Sequence, residues 1–165
     1  MLYLDLFHAL SEHHVRYVLV GGLALNLHGV ERSTMDIDLA IALDQANLAA
    51  TLDAAEKLRL VPVAPVSLRE AADPRTLARW RREKNMIAFA LRPQAGAGPT
   101  VDLLIDLPIA FDLLFERATT KCLQGIQISV ASIDDMILLK RASGRPLDLA
   151  DVAALESLKR LGLDK

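Results

Sequence analysis

The 165 residues contain one cysteine, Cys122, which excludes an internal disulfide and a zinc site built on cysteines. A lone thiol of this kind reads as a small buried hydrophobe, and its isolation fits a reducing, cytoplasmic setting. Net charge is nearly absent too: 19 Lys and Arg against 21 Asp and Glu leave a formal charge of -2. No global basic field advertises nucleic acid, so any such contact must be local. No apolar run approaches the ~20 residues needed to cross a bilayer, so no membrane partner is expected. The first residues carry Asp5 inside their apolar part and no basic start, unlike a signal peptide. Repeats, low-complexity tracts and linkers are also missing. With 52% hydrophobic content, the expectation is a single domain over 1–165 with a substantial core.

What is present centres on residues 17–40, YVLVGGLALNLHGVERSTMDIDLA. Tyr17-Val18-Leu19-Val20 is too short for a helix and rich in β-branched residues, which predicts a buried strand. Gly21-Gly22 breaks it, and Leu23 to His28 suit a short helix. Bare backbone N–H groups and a helix start then coincide, a natural place for phosphate oxygens. After the intervening residues Leu23 to Met35 comes Asp36-Ile37-Asp38, running into Leu39-Ala40-Ile41. On a strand, Asp36 and Asp38 share a face because side chains alternate. Two carboxylates facing a phosphate cradle form a donor set for Mg²⁺ in nucleotide chemistry.

Diglycine followed by Asp-x-Asp between apolar residues resembles the signature of the polymerase-β-like nucleotidyltransferase superfamily. His28-Gly29-x-x-Arg32-x-Thr34-x-Asp36-Ile37-Asp38-Leu39 is similar, more narrowly, to small bacterial nucleotidyltransferases of the AbiEii-type toxin group. The closing run, Asp135 to Lys140 and then Gly144-Arg145-Pro146-Leu147-Asp148-Leu149-Ala150-Asp151, resembles that group again. The resemblance implies a third metal carboxylate on a strand beside the Asp-x-Asp strand, which Asp102 matches. Asp106, on the same face four residues on, is its rival and also reads as a cap before Pro108. It further implies that Lys140 meets the nucleotide phosphates, with Arg32 and Thr34 nearby, and that Asp148 or Asp151 lies close to the site. Lysine in the last turn of a helix is favourable without any ligand, and Asp148 also reads as an N-cap.

The rest of the chain reads as mixed α and β. Leu2, Leu6 and Leu10, with Tyr3 and Phe7, predict a first amphipathic helix. Asp44 caps a helix over Gln45 to Leu58 with Leu48, Leu52, Ala55 and Leu58 inward. The prolines of Val61 to Val66 suggest a loop or edge strand. Ser67-x-x-Glu70 is a capping box, and Asp73-Pro74 opens a further helix. That helix carries Arg75, Arg79, Arg81, Arg82 and Lys84 around Trp80. It is either a solvated face or a landing strip for a triphosphate or RNA. Met86 to Leu91 and Thr100 to Asp106 form a hairpin about a Gly/Pro loop. Phe111 to Arg117 is a short helix with Phe111, Leu114 and Phe115 inward. A hairpin bends at Gln124-Gly125, Ser132 caps a helix ended by Gly144, and Asp148 caps the last one.

The expected architecture is α/β in mixed (α+β) arrangement: a small twisted sheet with flanking helices, with the diglycine and the Asp36/Asp38 strand along an open edge. The resemblance implies Mg²⁺ (or Mn²⁺)-dependent transfer of a nucleoside monophosphate from an NTP. The acceptor would be RNA such as tRNA, a protein, or a small molecule. It further implies a toxin with a cognate antitoxin. The catalytic and metal set would be Asp36, Asp38 and Asp102; the nucleotide set Gly21, Gly22, Arg32, Thr34 and Lys140. The alternative is a non-catalytic nucleotide-binding antitoxin or regulatory subunit on the same fold.

Overall fold

A computed structural model describes residues 2–162, with Leu2 described by its backbone alone. Helix α1 (Leu2–Glu12) buries Leu6, Phe7 and Leu10, as its spacing predicts; the expected inward side chain of Leu2 lies outside the described residues. Strand β1 (Tyr17–Val20) is buried at all four positions and passes directly into helix α2 (Gly21–Leu27). Strand β2 (Asp36–Ile41), helix α3 (Gln45–Lys57) and the three-residue strand β3 (Leu60–Pro62) follow. Helices α4 (Leu68–Ala71) and α5 (Pro74–Lys84) lead to the hairpin of β4 (Ala88–Pro93) and β5 (Thr100–Leu104). Helix α6 (Phe111–Glu116), the hairpin of β6 (Thr119–Leu123) and β7 (Ile126–Val130), and helices α7 (Ile133–Ser143) and α8 (Pro146–Arg160) complete the described chain.

All seven strands join one mixed sheet in the order β3-β4-β5-β2-β1-β7-β6. Strand β2 therefore lies at the centre, antiparallel to β1 and parallel to β5. The expected open edge is corrected by this order: the acidic strand is flanked on both sides, and its site opens on a sheet face. Alternation explains which face. Ile37 and Leu39 of β2, Val101 and Leu103 of β5, and Phe89 and Leu91 of β4 are fully covered. Ile41, Leu103 and Phe89 from that face meet Leu48 and Leu52 of α3 and Leu77 of α5, and Trp80 stacks on Phe89 at 5.9 Å. Each such side chain contributes roughly 1.5–3 kcal/mol on burial. One face is thus committed to the core, and the opposite face keeps the aspartates.

The predicted caps are made: Asp44 accepts from the Asn47 amide at 3.0 Å, and Ser67 and Glu70 complete both halves of a capping box. Asp73 accepts from Arg75 N–H and Ser132 from Asp135 N–H, each such cap being worth about 1 kcal/mol. Gln124 and Gly125 both take positive φ in the β6–β7 turn, the conformation of a two-residue hairpin loop. Three expectations are corrected. Asp148 is not a cap; Pro146, with its preset φ, starts α8 behind Arg145, and Asp148 points inward. Phe115 is exposed and only stacks on half-buried Phe111. Cys122 is exposed, because β6 is the last strand of the sheet. No described helix is long and apolar enough to cross a membrane.

Candidate active site

The turn from β1 into α2 begins with Gly21 at φ +70°, a conformation that L side chains rarely adopt. A Cβ on Gly21 would sit 1.8 Å from Asp38 Oδ2, and one on Gly22 would sit 2.7 Å from Thr34 Cβ. The diglycine is therefore required by close approach: the Asp38 carboxylate and the Thr34 side chain lie directly on this backbone. The sequence suggested bare amides here; the structure adds the side chains that use the space.

The parallel pairing of β2 with β5 sets Asp38 opposite Asp102 and Asp36 opposite Thr100. Neighbouring strands are about 4.8 Å apart, so Asp36, Asp38 and Asp102 occupy one small patch of the open face. None of the three side chains accepts a hydrogen bond or pairs with a cation at contact distance among the described residues. Burial, then Asp102 and Asp36, push the Asp38 carboxyl up to about 6. Burial and Asp36 likewise raise Asp102. As the side chains stand, no three carboxylate, imidazole or thiol groups among the described residues converge on one point. Adjacent, unneutralised carboxylates against a backbone cradle nonetheless suit a hard divalent cation, which takes oxygen donors and removes their mutual repulsion.

The facing wall is cationic and comes from α7, α8 and the loop after α2. Lys140 Nζ, in the last turn of α7, lies 2.9 Å from Asp148 Oδ1 and 2.8 Å from Asp151 Oδ2. Arg145 Nε donates to Asp148 Oδ2 at 2.8 Å, and Arg32 Nε approaches Asp151 Oδ1 at 3.4 Å. Asp148 and Asp151 are buried. Burial disfavours the charge on Asp148, but hydrogen bonds from Arg145, Lys140 and Ser143 outweigh it and hold that carboxyl far below the usual range. Arg145 remains 74% exposed at its side chain, whereas Lys140 is only 11% exposed. Three cations against two carboxylates leave this wall net positive, opposite the net negative β2–β5 patch.

Gly21, Gly22, Arg32, Thr34, Asp36, Asp38, Asp102 and Lys140, all eight sequence candidates, line a single cleft of about 760 Å³. Asp106 also lines it, exposed and 3.5 Å from Arg81 Nη1 of α5. Arg145 was not singled out from sequence, although it stands beside the Asp-x-x-Asp motif that holds it. Its exposure in the cleft could be foreseen only by knowing that α7 and α8 close on each other.

A diglycine turn, an Asp-x-Asp strand and a third aspartate on the parallel neighbouring strand define a nucleotidyltransferase of the polymerase-β-like kind. Residues 4–161 match the family model for the nucleotidyl transferase AbiEii toxin of type IV toxin–antitoxin systems, and the chain belongs to that family. Among solved structures, ANT(2″)-Ia in complex with adenylyl-2″-tobramycin is similar at TM-score 0.60 and 12% identity, covering 98% of this chain and 90% of that one. An antigenic nucleotidyltransferase-like protein from Paracoccidioides brasiliensis is similar at TM-score 0.55 and 20% identity, covering 93% and 72%. The solution structure of the antibiotic-resistance factor ANT(2″)-Ia is similar at TM-score 0.55 and 13% identity, covering 96% and 89%. At such identities the likeness establishes the fold. No curated protein sequence matches the chain.

Proposed function

We propose that this nucleotidyltransferase moves a nucleoside monophosphate from an NTP to an RNA or protein hydroxyl, acting as the toxin of a toxin–antitoxin pair. One observation carries the reading: an unneutralised three-aspartate patch and a net positive wall face each other across one cleft. Asp36 and Asp38, joined by Asp102, are the residues for Mg²⁺, with Mn²⁺ able to replace it. When bound, the ion offsets triphosphate charge and lowers the pKa of the attacking hydroxyl. The amides of Gly21 and Gly22, with Arg32, Thr34 and Lys140, take the β- and γ-phosphates. Arg145 joins them, being the cation of this wall with most of its surface exposed. The acceptor oxygen bonds to the α-phosphorus, the α–β bridge breaks, and pyrophosphate leaves. Asp102 takes the hydroxyl proton.

RNA is the acceptor that the surroundings favour. On α5, Leu77 and Trp80 point inward and Arg75, Arg79, Arg81, Arg82 and Lys84 point outward, as a solvated basic face should. That face is joined to the cleft rim by the Arg81–Asp106 pair, so a polyanion leaving the cleft there meets positive charge. The test uses α-labelled and γ-labelled NTP with Mg²⁺ and a cell extract. The α-label should move onto a macromolecule that nuclease degrades and protease does not, while the γ-label leaves as pyrophosphate. Transfer of the γ-label means a kinase-like use of the cleft, and NTP binding without any transfer means a regulatory subunit.

A further inference from the structure

His28, at the C-cap of α2, is buried, and its Nε2 lies 2.7 Å from the carbonyl oxygen of Ala131. A carbonyl only accepts, so Nε2 carries the hydrogen and donates. Ala131 sits at a junction: its amide donates to Leu19 of β1, and the next residue, Ser132, caps α7. The bond therefore spans 103 positions and ties the end of α2 to the start of the helix that carries Lys140.

Residues 28–35, between α2 and β2, form no regular structure, yet they bring Arg32 and Thr34 to the cleft. Besides backbone bonds from Gly29 and Val30 back to α2, and the bond from the Thr34 hydroxyl to the Asp36 carbonyl, three side-chain tethers hold this loop. Asn26 Oδ1 accepts from Arg32 N–H at 2.8 Å, Arg32 reaches Asp151, and Thr34 lies on Gly22. Each of these tethers fixes the loop to its own helix or to charged cleft residues. The His28 side chain is the one among the loop's tethers that hydrogen-bonds to the β7–α7 junction, while Val30 adds apolar packing against the core. A buried imidazole is costly to desolvate, and a branched hydrocarbon would fill the same space, so the donor is the reason for histidine.

We propose that His28 is a positioning residue of nucleotide binding: its bond to Ala131 sets the Arg32–Thr34 loop in register with the Lys140 helix. This rests on the function proposed above, because Arg32, Thr34 and Lys140 are there assigned to the phosphates. Since His28 does not line the cleft, its loss acts on substrate affinity and leaves the bound complex free to react.

The test compares H28Q, whose amide nitrogen reaches the place of Nε2, with H28N, whose shorter amide does not. H28Q should keep the KM for NTP within about twofold of wild type. H28N should raise it about tenfold with kcat within about twofold. Hydrogen exchange on nucleotide-free protein supplies a readout independent of activity: amides in residues 29–35 should exchange about tenfold faster in H28N and unchanged in H28Q. Equal behaviour of the two variants, or a loss confined to kcat, overturns the proposal. If H28N does not fold, H28Q decides alone: wild-type KM and exchange support the proposal, and a tenfold change in either overturns it. If wild type neither binds nor transfers NTP, the proposed function falls, while loop exchange still judges whether His28 holds the loop.

Discussion

The residue at which the competing forces are most evident is Asp38. It gives up solvent, lies on Gly21, and stands between Asp36 and Asp102, with only the more distant Lys140 and Arg145 to compensate. Its folded-state pKa, raised to about 6, exceeds the ordinary carboxylate value near 3.9. A raised folded pKa means stability that is complete below about pH 4 and lost as the pH climbs through 6. At ~1.4 kcal/mol per unit the loss amounts to roughly 2–3 kcal/mol. In a chelating buffer, Asp38→Asn should therefore gain on wild type in denaturant midpoint as pH rises from 5 to 7. A constant difference across that range would show that Asp38 is not held out of its charged form. The two acids on and beyond β5 separate in a second experiment. Asp102 lies in the carboxylate patch opposite Asp38, whereas Asp106 lies past the strand end and pairs with Arg81. Asp102→Ala should lower kcat by at least a hundredfold with little change in NTP affinity, and Asp106→Ala by less than tenfold. The reverse ranking in steady-state kinetics would transfer the role to Asp106.

At the scale of elements, α7 and α8 act as one device, since the acids of α8 hold the lysine of α7. Asp148 contributes stability in the opposite sense to Asp38. Its folded pKa is depressed, so the contribution is present above pH ~4 and vanishes as pH falls through the folded value. Asp148→Asn leaves buried Lys140 with Asp151 alone. It should cost on the order of 3 kcal/mol at pH 7, as expected for breaking a buried pair. It should also flatten the acid limb of the stability profile, measured by denaturant titration at each pH. An unchanged limb would mean the Lys140–Asp148 contact is not made in solution. This device was only half legible in the sequence. Asp148, Asp151 and Lys140 were visible as a motif close to the site, but the spacing also let Asp148 read as a cap and did not show that the two acids hold Lys140. Local spacing cannot tell that Pro146 begins the helix early and turns both acids toward α7. By contrast the β1–diglycine–α2 turn, the β4–β5 hairpin and the caps at Asp44, Ser67, Asp73 and Ser132 were legible, because each is decided within a few residues.

For the whole molecule the decisive step is long-range pairing. The resemblance sets the Asp102 strand beside the Asp-x-Asp strand, as observed, but the order of the whole sheet was not legible from local spacing. Placing β5 alongside β2 brings Asp102 to Asp38 across 64 positions (102 − 38), and inserting β2 between β1 and β5 turns an expected sheet edge into an interior face. The two walls of the cleft consequently belong to distant parts of the chain. A ligand that bridges them binds the folded state and not the unfolded one. Binding at a hundred times its dissociation constant adds about 2.7 kcal/mol, equivalent to roughly 5–10 °C in Tm for a chain of this size. The expected pattern is cooperative. Mg²⁺ alone relieves only the aspartate patch, and NTP alone meets that patch unneutralised, so each should shift Tm by only a degree or two. Together they should give the full shift. Asp36→Asn removes one of the paired carboxylates without disturbing the core, because Asp36 is exposed on the open face. That variant should melt at or slightly above the wild-type temperature without ligand and lose most of the combined shift. If NTP with Mg²⁺ raises Tm equally in both proteins by scanning calorimetry, the nucleotide is held away from the aspartates, and the cleft works by another arrangement than the one proposed.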